Sequence, residues 1–86
     1  MIRLVNQPVS LGLLVDEGHR HVSPKWVLWA GRKYVVEELG FYHRYREGRK
    51  TWHVWSVNVG ALDMRLELDS ESLACVLREV SDGLAD

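Results

Sequence analysis

Phe41-Tyr42-His43-Arg44-Tyr45-Arg46-Glu47-Gly48-Arg49-Lys50-Thr51-Trp52-His53-Val54-Trp55 is the stretch that decides how this chain folds. Its middle, Arg46 to Lys50, is polar, charged and centred on glycine, and aromatic and β-branched residues flank it on both sides. That pattern is the signature of a β-hairpin, because such side chains pack well on a pleated surface while glycine turns the chain. Thr51 to Val59 then reads as the returning strand. His53, Trp55, Val57 and Val59 fall on one of its faces, and Trp52, Val54, Ser56 and Asn58 on the other. A long twisted hairpin over Phe41–Trp55 is expected to set Tyr42, Arg44 and Arg46 opposite Lys50, Trp52 and Val54.

Further strands lie on either side. From Tyr34 to Tyr45 only Gly40 interrupts β-favouring residues, which predicts a long strand bent or bulged there. Lys25 to Ala30 is rich in valine and tryptophan, and Gly31-Arg32 turns it into Tyr34-Val35-Val36, a second hairpin. Val9, Leu11, Leu13 and Val15 alternate with Ser10, Gly12 and Asp16, the period of a half-buried strand. Asp16-Glu17-Gly18 reads as the turn after it, and Val22-Ser23-Pro24 as a further boundary. Beyond Gly60, Met64, Leu66 and Leu68 alternate with Arg65, Glu67 and Asp69. The C-terminal segment has two readings. Leu73, Val76, Leu77 and Val80 recur at helical spacing behind a Ser70 cap, whereas Asp69 to Ser72 as a turn makes Ala74 to Val80 a last strand pairing with 63–68.

Eighty-six residues with 47% apolar content bound a single small domain over 1–86. A single cysteine, Cys75, excludes an internal disulfide framework and fits a reducing cytoplasm. No signal peptide is expected at the N-terminus, and no apolar run approaches the roughly 20 residues of a membrane helix. The formal charge of −1 is segregated: residues 25–50 hold seven of the eleven basic side chains and every aromatic ring except Trp52 and Trp55, while residues 51–86 are acidic. Rings mixed with positive charge suit a surface that stacks bases and neutralises phosphates. The overall pI of about 6.4 weakens that case, since dedicated binders are usually basic throughout. The same residues also suit a core built of large rings with its charges in solvent.

Pro24, Trp29-Ala30-Gly31-Arg32-Lys33-Tyr34-Val35-Val36, Trp52-His53-Val54, Leu66-Glu67-Leu68-Asp69 and the run Leu73 to Asp82 together resemble a family of small, uncharacterised bacterial domains with a W-x-G-R-x-Y-x-V hairpin. Related segments occur at the C-terminus of some proteins akin to Y-family polymerases. The resemblance spans about residues 9–82 and implies a strand at the C-terminus, although similar sequences carry a tryptophan where Cys75 stands. It implies no catalytic activity and adds only an association with DNA repair.

The expected fold is mainly β: a single antiparallel bent sheet or small open barrel of five to six strands. The alternative is α+β with a C-terminal helix over 70–82. Trp26 or Trp29, Val35, Leu39, Val54, Val57, Leu66, Leu68, Leu77 and Val80 are the expected core. His19 and His21 share a strand face, and His43 and His53 could meet across the hairpin, but no metal signature such as HExxH or CxxC occurs. Glu37 and Glu38 are adjacent and so point to opposite faces, which removes them as a catalytic pair. Asp63, Glu67 and Asp69 could line one face, paired with Arg44 or Arg46. Cys75 sits among aliphatic residues, the setting of a buried hydrophobe and not of an activated thiolate. No catalytic motif appears, so no enzyme, cofactor or metal is expected. The leading functional expectation is a non-catalytic module contacting nucleic acid through Tyr42, Arg44, Arg46, Arg49, Lys50 and Trp52. Its rival is a protein-interaction or self-association module, a homodimer included, that uses exposed aromatics or an unpaired sheet edge.

Overall fold

The computed structural model describes residues 2–15 and 22–82. Eight strands form among them: β1 (Ile2–Pro8), β2 (Ser10–Val15), β3 (Val22–Trp29), β4 (Arg32–Val35), β5 (Glu38–Glu47), β6 (Lys50–Asn58), β7 (Asp63–Asp69) and β8 (Cys75–Ser81). They build two antiparallel sheets, ordered β1-β8-β7-β6-β5 and β2-β3-β4, which do not close into a barrel. The described residues contain no helix, and so none that is long and apolar enough to cross a membrane.

The mainly β, antiparallel architecture is therefore the one that forms. Eight strands are counted because two long extended segments pass from one sheet into the other. At the first crossing the Val9 N–H donates to the Cys75 carbonyl at 3.1 Å. At the second, Val36 N–H reaches Lys25 O at 3.0 Å and Glu37 N–H reaches Asn58 O at 2.8 Å. The strand expected over Tyr34–Tyr45 is thus divided at Val36–Glu37, and it is also bulged between Leu39 and Tyr42, at Gly40. The N–H groups of Val9, Val36 and Glu37 thus stay paired as the chain changes sheets.

Val22-Ser23-Pro24 is not a boundary but the start of β3. Proline fits because the β2–β3 register slips between Gly12 and Leu13, and a proline without an N–H is tolerated at such an irregularity. The strand β1 was not apparent from the sequence. It lies at a sheet edge, paired only with β8, where Pro8 removes no ladder bond on its open side. The turn at Asp16–Gly18, along with His19 and His21, lies outside the described residues.

The C-terminal helix does not form: Cys75–Ser81 is a strand paired with both β7 and β1. A register shift between Arg65 and Leu66 places Leu66 opposite Leu77 and Arg65 opposite Glu79, so Arg78 is the extra residue of a bulge. Cys75, Leu77 and Val80 consequently all reach the core despite their uneven spacing, and the three-residue step from Leu77 to Val80 is one that a helix also makes.

The core is a cluster of Val27, Trp55, Val57, Met64, Leu66, Leu68, Cys75, Leu77 and Val80, with Trp29, Tyr34 and Val36 packed against it from the second sheet. Val54 is buried too, on the opposite face of β6. Two expected core residues are not buried. Val35 is 60% exposed, because it pairs with Trp26 on the outer face of the small sheet. Leu39 is 50% exposed, on the open edge strand β5. Of the two tryptophans considered, Trp29 faces inward, and its indole N–H donates to Gln7 Oε1 at 2.8 Å.

Candidate nucleic-acid interface

The β5–β6 hairpin turns on two residues, Gly48 and Arg49, between the paired Glu47 and Lys50. Gly48 has φ 64°, the left-handed value that a type II′ turn requires at its first central position and that glycine adopts without strain. This turn fixes the register. Tyr42 lies opposite Trp55, Arg44 opposite His53, Tyr45 opposite Trp52 and Arg46 opposite Thr51.

Residues directly opposite one another share a face. The expected pairing of Tyr42, Arg44 and Arg46 with Lys50, Trp52 and Val54 is therefore displaced by one position, and the six candidate residues divide. Tyr42, Arg44 and Arg46 share the inner face with Thr51, His53 and Trp55. Lys50 and Trp52 share the outer face with His43, Tyr45 and Glu47. Arg49 stands in the turn. His43 and His53 fall on opposite faces and do not meet, and no group of three or more His, Cys, Asp or Glu side chains able to hold a metal occurs among the described residues.

The outer face is neutralised and crowded. Lys50 Nζ lies 3.2 Å from Asp69 Oδ2 and 5.9 Å from the Trp52 ring centre. Trp52 stacks on Tyr45 with centroids 6.4 Å apart and planes 14° off parallel, and its Nε1 is buried without a hydrogen-bond partner. The Tyr45 hydroxyl donates to Glu67 Oε1 at 3.1 Å, and Arg78 Nε lies 3.1 Å from the same oxygen. Burial first, and then the bond to Glu67, push the Tyr45 hydroxyl above its ordinary pKa.

Asp63, Glu67 and Asp69 do share this face. Their partners, however, are Asn58, Arg78 with Tyr45, and Lys50, and not Arg44 or Arg46, which project from the other side of the sheet. Asp69 also organises the β7–β8 turn, accepting the Glu71 N–H at 2.9 Å. That bond above all, with help from Lys50 and Ser72, holds its carboxyl at about 2. The face is thus held together by carboxylates, which repel phosphates.

The inner face differs. Tyr42, His53 and Trp55 form a ring cluster with centroids 5.7 to 5.9 Å apart. The Tyr42 hydroxyl and His53 Nδ1 share a hydrogen bond at 2.7 Å. Tyr42 remains 43% exposed. Arg44, Arg46 and Arg49 are exposed and have no ion-pair partner among the described residues. A groove of about 440 Å³ runs past Arg44, Tyr45, Arg46 and Thr51. Sequence reasoning missed His53 and Trp55 as neighbours of the basic residues, and only the turn length could have revealed them.

Comparison with known protein families, characterised proteins and solved structures finds no match to this chain.

Proposed function

We propose that this chain is a non-catalytic, cytoplasmic binding module that contacts nucleic acid with the inner half of its β5–β6 hairpin, as an accessory to DNA repair. The observation that carries the reading is the register. It gathers the exposed Tyr42 ring and two guanidiniums without ion-pair partners, Arg44 and Arg46, on one face. Successive inward residues of a strand stand about 7 Å apart, so the two guanidiniums suit neighbouring phosphates of an extended chain. Exposed rings stack on bases of any sequence, and arginine adds phosphate contacts. Lys50 and Trp52 play no part in the contact, because their charge and ring surface are used within the fold. The tie to repair rests on the sequence resemblance alone, which no matched family, characterised protein or solved structure supports. Titrating a labelled oligonucleotide at low and at high salt tests the proposal: affinity should fall steeply with salt, and an absence of binding at low salt would end it.

One observation favours the rival reading. The ten-residue strand β5 is an unpaired sheet edge, and Phe41 on it is 84% exposed. An open edge can accept a strand from a partner or a second copy. If that is its use, sedimentation will show a dimer that persists at high salt and is lost in Phe41→Ser.

A further inference from the structure

Between the two sheets, next to the unpaired edge of β5, lies a cleft of about 410 Å³. Its walls include Leu14 from β2, Val22 from β3, Leu39 from β5 and Trp55 from β6, with Tyr42 and Lys25 among its polar groups. The size falls within the range of small-molecule sites, and mostly apolar walls with few polar atoms are the usual lining of such sites. Among the described residues, no carboxylate lines it. The smaller cavity of about 260 Å³ that also touches Leu39 and Gly40 is different: Glu38 and Asp63 line it, which disfavours an anionic ligand.

Tyr42 belongs both to this cleft and to the basic face, where Arg44 is the next residue pointing the same way. A chain whose phosphates follow Arg46 and Arg44 therefore arrives at the cleft mouth. We propose that the cleft takes one unpaired nucleobase, stacked against the Tyr42 ring between apolar walls, with the Lys25 ammonium donating to an acceptor oxygen on the base edge. This inference rests on the nucleic-acid reading above and adds a substrate class to it. Bases within a duplex are stacked and paired, and extracting one costs free energy that an already single strand does not spend. The module is accordingly selective for single-stranded nucleic acid, and backbone charge alone does not account for its affinity.

The test compares three labelled ligands of equal length by fluorescence anisotropy: oligothymidine, an abasic phosphodiester chain and a duplex. Oligothymidine should bind the wild-type protein roughly tenfold or more tightly than the abasic chain, the scale of base–aromatic stacking. Ser23, which also lines the cleft, provides a variant that fills it: Ser23→Phe should remove most of that advantage and leave the dependence on salt unchanged, as should Tyr42→Leu. Equal binding of oligothymidine and the abasic chain overturns the base-in-cleft inference while the nucleic-acid reading survives. Undiminished preference in Ser23→Phe, with its thermal transition intact, overturns it as well. If none of the three ligands binds, both readings fall.

Discussion

Replacing Arg44 and Arg46 together by alanine should remove about two thirds of the salt dependence of nucleic-acid binding. Three guanidiniums on or beside the inner face, those of Arg44, Arg46 and Arg49, have no ion-pair partner among the described residues and are counted as phosphate contacts. For a single strand, each neutralised phosphate contributes about −0.7 to the slope of log affinity against log salt, so the wild-type slope should be about −2. The double variant keeps one contact and a slope of about −0.7. Between about 50 and about 200 mM salt, the wild-type protein should lose about twentyfold in affinity and the variant about threefold. Lys50→Gln is the control, because its ammonium already lies 3.2 Å from Asp69 and has little charge left to offer a phosphate. Anisotropy of labelled oligothymidine across that salt range measures all three slopes. An unchanged slope in the double variant, or an equal drop in Lys50→Gln, would refute the division of the hairpin into an active and a neutralised face.

Gly12→Ala should destabilise the fold by about 1–3 kcal/mol, the usual cost of overpacking. An added Cβ would lie 2.6 Å from Trp26 Cδ1 and closer still to Nε1 and Cε2, so the indole must move off Gly12, which disturbs its contact with Lys33, whose ammonium lies 5.3 Å from the ring centre. A urea midpoint equal to that of the wild type would contradict this. Asp69 is held at about 2 against an ordinary 3.8, so the stability it contributes is fully present above about pH 4 and is lost as pH falls through 2. Thermal scans of Asp69→Asn should show a lower transition at neutral pH and a flatter response in that window, and parallel pH curves would count against the assignment. Burial pushes the Cys75 thiol up to about 12, so a thiol reagent at pH 8 should label the protein only as denaturant unfolds it. Fast labelling of the folded chain would contradict its burial.

Much of the fold was legible because alternation over Met64 to Asp69 and the polar Arg46–Lys50 loop are strong local signals. Met64, Leu66 and Leu68 are buried as that alternation implies. The errors have a common physical source: a strand's side chains repeat every two residues, so one inserted residue moves everything beyond it to the other face. At Arg78 the insertion is a bulge, and it made a strand resemble a helix. At the hairpin the difference lay between a three-residue turn and the two-residue Gly48-Arg49 turn. A five-residue polar loop is compatible with either. The choice decides whether Trp52 or His53 stands beside Arg44, and hence half of the candidate site. Strand β1 is not legible in the sequence because Ile2 and Leu4 lie on a largely exposed edge, where apolar alternation reports no core. The segregation of charge, by contrast, was visible in composition. Its meaning was not, since the acids near the hairpin tip neutralise Lys50 and Arg78 and leave Arg44, Arg46 and Arg49 free of ion pairs within the described chain.

The two faces of the β5–β6 hairpin each carry a tryptophan, whose indole N–H signals report on them separately. Trp55 lies on the inner face beside Tyr42, and Trp52 lies on the outer face against Tyr45. Adding oligothymidine to the isotope-labelled protein should shift the nuclear magnetic resonance signals of the Trp55 indole, Tyr42, Arg44 and His53, and leave the Trp52 indole and Lys50 where they were. Shifts confined to Trp52 and Lys50, with Tyr42 and Arg44 unmoved, would contradict the account.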